Sequence, residues 1–139
     1  MSTVTVAGLD KPVSLGAALR DFGLTALINS SGNKANASAA ATLTPSATTT
    51  AYLSGFEVTG SGATAALPVS VTVTGILGGT LTYTYNFAAG ALVGNTPLVV
   101  AFDPPLPASA INTAIVVTCP ASGAGGTNNT VVAHGFQYG

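Results

Sequence analysis

The chain has 139 residues, of which 47% are hydrophobic and 5% charged, with three Lys and Arg against four Asp and Glu. Three basic side chains cannot neutralise the row of phosphates that a nucleic-acid binder must contact, nor form a polybasic cluster for anionic lipid. The length suits one domain with a core of its own.

An average soluble domain is about 25% charged. Here the surface must instead be covered by Ser, Thr, Asn, Gly and backbone. Such a surface has little electrostatic repulsion and tolerates close packing against other protein. This points to a subunit that works in an assembly, most simply a homo-oligomer. The first residues, Met1-Ser2-Thr3-Val4-Thr5-Val6, have neither a basic nor an apolar leader pattern, so secretion is not expected. The long uncharged stretch between Glu57 and Asp103 is broken by Gly, Pro and alternating Thr, unlike a membrane-spanning helix. Cys119 is the single cysteine, which excludes an intramolecular disulfide.

Taken in chain order, the sequence falls into three zones. Residues 1–34 hold five of the seven formal charges, Asp10, Lys11, Arg20, Asp21 and Lys34. Val4 and Val6 alternate with Thr3 and Thr5 as in a short strand, which Pro12 interrupts. Ser14 to Phe22 suits one or two helical turns, with Ser14 as N-cap, Gly23 closing, and Leu15, Leu19 and Phe22 on one face. So short a helix needs something to dock on. Leu24 to Ile28 suits another short strand. Two readings stay open for this zone. It is an assembly arm that binds a partner through Leu15, Leu19, Phe22 and Leu24, with Arg20 and Asp21 at the polar rim. Or it supplies further strands to the same domain.

Residues 35–50 are Ala/Ser/Thr-rich, with Leu43 as the one large apolar residue and Pro45 as a breaker. They are expected to be a linker or an extended arm. Residues 51–139 are dense in strand signals. Val69, Val71 and Val73 alternate with Ser70, Thr72 and Thr74, and Leu81, Tyr83, Tyr85 and Phe87 alternate with Thr82, Thr84 and Asn86. Gly78-Gly79 between them is a hairpin signal, since both turn positions favour positive φ. Leu98, Val100 and Phe102 form a third alternating run, which Asp103-Pro104-Pro105-Leu106-Pro107 is expected to end. Ala114 to Cys119 and Val131 to Tyr138 complete six strands after residue 50, counting Ala51 to Thr59. Short strands with Gly/Pro turns and no long helix predict an all-β, antiparallel two-sheet β-sandwich, with a jelly roll as the favoured variant. Its core is expected to hold Val71, Val73, Leu81, Tyr83, Tyr85, Val100, Phe102, Ile115 and Val117.

Catalytic chemistry finds little footing. His134 is the sole histidine, so every nucleophile–base pair would have to use it. It sits in a strand pattern. Cys119 ends an apolar run and reads as a small buried hydrophobe. Glu57 and Asp103 are far apart in sequence. One His, one Cys and four carboxylates offer no two metal ligands at a useful spacing. Gly60-Ser61-Gly62 and Gly123-Ala124-Gly125-Gly126-Thr127 lack the Lys and the helix of a phosphate loop and read as turns. No cofactor, metal or enzymatic activity is therefore expected. Tyr83, Tyr85 and Phe87 share one strand face, which suits a core better than a sugar-stacking stripe.

Three strings carry a resemblance: Phe102 to Val117 (FDPPLPASAINTAIVV), Tyr52 to Gly60 (YLSGFEVTG) and Val132 to Tyr138 (VAHGFQY). Over roughly residues 50–139 the chain resembles small jelly-roll decoration (cement) proteins of tailed double-stranded-DNA bacteriophages. The resemblance implies a structural virion protein, made in the host cytoplasm. It would sit on the capsid surface as a dimer or trimer, bound to the major capsid protein. A tail, fibre or baseplate component is the structural alternative, and a carbohydrate-binding β-sandwich module the alternative from another class.

Overall fold

A computed structural model describes residues 3–4, 13–14, 23–90, 94–123 and 126–139. The described residues are all strand, turn and loop. A small ladder pairs β1 (Thr3–Val4) with β2 (Val13–Ser14). Eight longer strands follow: β3 (Thr25–Ser30), β4 (Ala39–Leu43), β5 (Thr50–Ser61), β6 (Leu67–Thr74), β7 (Leu81–Phe87), β8 (Leu98–Pro107), β9 (Ile115–Cys119) and β10 (Asn128–Tyr138). They form two four-stranded antiparallel sheets, in the orders β3-β10-β5-β8 and β4-β9-β6-β7. Apart from the β6–β7 hairpin, each connection crosses from one sheet to the other.

The two sheets close on one apolar cluster, the two-sheet β-sandwich expected from the alternation. One sheet contributes Leu53, Phe56, Val58, Val131 and Ala133, the other Leu43, Val71, Val73, Phe87, Ile115 and Val117. Phe56 spans the layers: its ring meets Tyr83 of the opposite sheet edge-on, with centroids 5.4 Å apart, and Phe102 of its own sheet at 6.3 Å. Of the expected core, Val71, Val73, Tyr85, Ile115 and Val117 are buried, while Leu81, Tyr83, Val100 and Phe102 are half-buried and pack against the cluster. The half-buried four lie on β7 and β8, which are edge strands and so are covered on one side only.

Three expectations are corrected. The zone read as a linker, 35–50, contains β4, whose Ala39, Ala41 and Leu43 are fully buried. Small residues suffice there because β4 packs closely against β10. The proline run does not end β8, which continues to Pro107. As an edge strand β8 needs a ladder on one side only, and its pairing with β5 breaks between Ala101 and Leu106, around a cis Asp103–Pro104 peptide. A proline without an N–H is tolerated at such a place. Gly60 is a strand position rather than a turn: the Phe87 ring fills the space that its side chain would need. The Gly78-Gly79 turn is as expected, with φ of 98° and 105°. Asn129 is 1% exposed. Its amide donates to the carbonyls of Ala37, Cys119 and Pro120 and so ties the β9–β10 connection to the start of β4.

Candidate interaction surface

The outer faces of the two sheets differ in chemistry. On β4-β9-β6-β7 the outward positions are mainly hydroxyls. Thr72 lies between Thr82 and Thr118 across the sheet, and Thr118 faces Ala40. Thr42 and Thr74 flank Val116, and Ser70 faces Thr84. This neutral polar face needs no partner.

The outward positions of β3-β10-β5-β8 divide in two: toward the start of β10 they are polar, with Asn128 opposite Ser61 and Thr130 opposite Thr59, and from Val132 onward they are mainly apolar. Register puts Ile28, His134, Gly55 and Ala101 in one row, Ser30, Val132, Glu57 and Val99 in the next, and Ala26, Phe136 and Tyr52 in a third. Ile28 is 73% exposed, Val99 64% and Tyr138, beyond the third row, 47%. Tyr52 and Phe136 stack nearly parallel, with centroids 4.9 Å apart and planes at 10°. That pairing covers part of each ring, and both remain half-buried on the outer face. His134 lies against Gly55. A Cβ at position 55 would lie 3.1 Å from the imidazole ring and 2.6 Å from the Val100 carbonyl oxygen, so no side chain fits and the ring occupies that space. A recess of about 340 Å³, lined by Leu24, Thr25, Ala26, Gly135 and Phe136, extends the apolar surface beside the stacked rings.

Of the residues expected to bind a partner, Leu24 is thus half-buried and lines that recess. Leu15, Leu19, Arg20, Asp21 and Phe22 lie outside the described residues. The sequence reading missed the surface itself, because its members come from four strands spread over more than a hundred residues. The period-two alternation of Val132, His134 and Phe136 was its one local sign.

Of the groups weighed for catalysis, only His134 and Glu57 become neighbours. His134 and Glu57 share the outer face on neighbouring strands. Asp103 lies four positions beyond Val99 on β8, and Cys119 is fully buried in the core. Burial pushes the Cys119 thiol up to about 11, against a smaller opposing effect of the Asn129 side chain, so it carries no thiolate at neutral pH. Among the described residues no group of three His, Cys, Asp or Glu is placed to hold a metal, and no helix is long and apolar enough to cross a membrane. Tyr85 and Phe87 point inward and pack edge-on at 5.0 Å, as a core pair rather than an exposed stacking stripe.

A second recess, of about 450 Å³, is bounded by Thr84 to Asn86 and by Gly94 to Leu98. Tyr85 Oη and Asn95 Nδ2 are buried there without a hydrogen-bond partner. Burial raises the Tyr85 pKa; the Asn95 side chain and the Gly60 backbone lie near enough to oppose that rise, though neither closes a hydrogen bond with good geometry.

No protein-family model, curated protein or solved structure matches this chain.

Proposed function

We propose that the chain is a non-enzymatic structural subunit that binds the outer surface of a tailed-phage capsid and stabilises it by bridging capsid subunits. The observation that carries the assembly part of this reading is the exposed apolar part of the outer face of β3-β10-β5-β8. Soluble monomers rarely leave so continuous an apolar surface uncovered, and such faces mark protein interaction sites. The described sandwich carries only Lys34, Glu57 and Asp103 as formal charges, so little repulsion opposes dense packing of many copies.

The capsid part of the reading rests on the resemblance over residues 50–139, and the strand orders support it. Taking β3 to β10 as eight successive strands, the orders β3-β10-β5-β8 and β4-β9-β6-β7 favour the jelly-roll variant of the sandwich. The mechanism is mechanical. Each copy adds contact area across neighbouring shell subunits, and many copies make modest contacts effective by avidity.

The test is a count. In purified virions carrying this gene product, its copy number measured against the major capsid protein should be comparable. A few copies per particle would replace this reading with a tail, fibre or baseplate component. Absence from particles would remove the virion reading altogether.

A further inference from the structure

We infer that the outward face of β3-β10-β5-β8 is the seat of a second copy of this chain, joined face to face about a two-fold axis. Three observations carry this. The face carries three of the most exposed large apolar side chains among the described residues, Ile28, Val99 and Tyr138. The opposite face, with its rows of threonine, offers nothing comparable.

The second observation is size. Four strands at a spacing of about 4.8 Å and roughly 30 Å long give a flat projection of roughly 600 Å². Standing side chains make the accessible area larger. A stable two-protein interface takes about 600–1,000 Å² from each partner, so this face suffices without help from loops.

The third observation is polar complementarity. Among the described residues that point outward on the four strands of this face, the ionisable ones near its centre are Glu57 and His134. His134 faces Gly55, two positions from Glu57 on the adjacent strand, so they are diagonal neighbours about 7 Å apart. One is an acceptor and the other a donor. A two-fold axis lying between them in the plane of the interface sets Glu57 of each copy against His134 of the other. The pairing is made twice, and the stacked Tyr52 and Phe136 rings stay in the dry part of the contact. A strongly charged partner surface would find no counterpart here, whereas the face complements itself.

The inference does not depend on the capsid reading, because it concerns the isolated chain. The experiment is sedimentation velocity on the full-length protein over a concentration series. A dimer is expected for the unmodified chain. Ile28→Lys/Val99→Lys, at exposed positions that the fold does not need, should weaken its Kd by roughly 100-fold or more. Thr82→Lys, on the threonine face, should leave it unchanged. Glu57→Lys alone should weaken association, and the swap Glu57→Lys/His134→Glu should restore most of it. A monomer at every concentration, or a dimer indifferent to Ile28→Lys/Val99→Lys, overturns the inference. So does a chain that is monomeric alone but loses attachment to virions through the same substitutions, since the face then belongs to another protein. Failure of the swap to restore the dimer refutes the reciprocal placement of Glu57 and His134.

Discussion

Replacing Phe56 with alanine tests whether the two sheets are held together as described. The ring is fully buried and touches both layers, through Tyr83 at 5.4 Å and Phe102 at 6.3 Å. Phe→Ala substitutions in cores cost about 3–5 kcal/mol from lost transfer energy and the cavity left behind. Here the upper half of that range is expected, because β5 is an interior strand whose hydrogen-bonded neighbours β10 and β8 restrict collapse into the cavity. The edge-on Phe56–Tyr83 pair should account for about 0.5–1.5 kcal/mol beyond its buried area. Domains of this size have a total stability of about 5–15 kcal/mol, so the variant should lie near the limit of folding. The assay is urea unfolding followed by far-ultraviolet circular dichroism and by tyrosine emission, which is unobscured because the chain has no tryptophan. A double-mutant cycle with Tyr83→Ala isolates the ring pair. A loss below about 1 kcal/mol with an unchanged denaturant slope, or no coupling in the cycle, would refute the packing of the sheets through Phe56.

Three further outcomes follow from particular residues. The Cys119 thiol is held neutral up to about pH 11 in the fold but titrates near 9 when unfolded. Its contribution is therefore complete below pH 9 and is lost as pH rises from about 9 to 11, by roughly 2–3 kcal/mol; the urea midpoint should fall over that window, and Cys119→Ala should flatten the fall. Tyr85→Phe removes a buried hydroxyl that has no partner and should be neutral or stabilising by up to about 1 kcal/mol; a clear loss of stability would mean that the hydroxyl is satisfied in solution. Gly135→Ala would drive a methyl group into the Tyr52 carbonyl at the β5–β10 irregularity and should cost about 1–3 kcal/mol in thermal or urea unfolding, whereas an unaffected midpoint would place that register elsewhere.

Much of the fold was legible wherever alternation is strong. Val69, Val71 and Val73 and the run Leu81 to Phe87 each present one apolar face, and a sandwich needs that period of two and little else. The glycine pair between them marked the turn for the same local reason. The inward direction of Tyr85 and Phe87 followed from the pattern, as did the burial of Cys119 at the end of an apolar run. Other elements were hidden because their determinants are not local. β4 alternates Ala39, Ala41 and Leu43, too small a signal to stand out from its Ala/Ser/Thr surroundings, and only the closeness of β10 makes small residues the right fill. The proline run in β8 is acceptable only on an edge, and edge position is a property of strand order. Asn129 gains its role from three carbonyls that converge on it from separate segments.

The interaction face is the extreme case. Ile28, Tyr52, Val99 and Phe136 each read as an ordinary strand residue in its own stretch of chain. Which face of a strand meets water depends on which strands flank it and in what register, and a shift of one residue would have turned the same side chains into the core. The residues themselves settle that there is an apolar face on each strand. The pairing of β10 with both β3 and β5 decides that these side chains stand together on the outside.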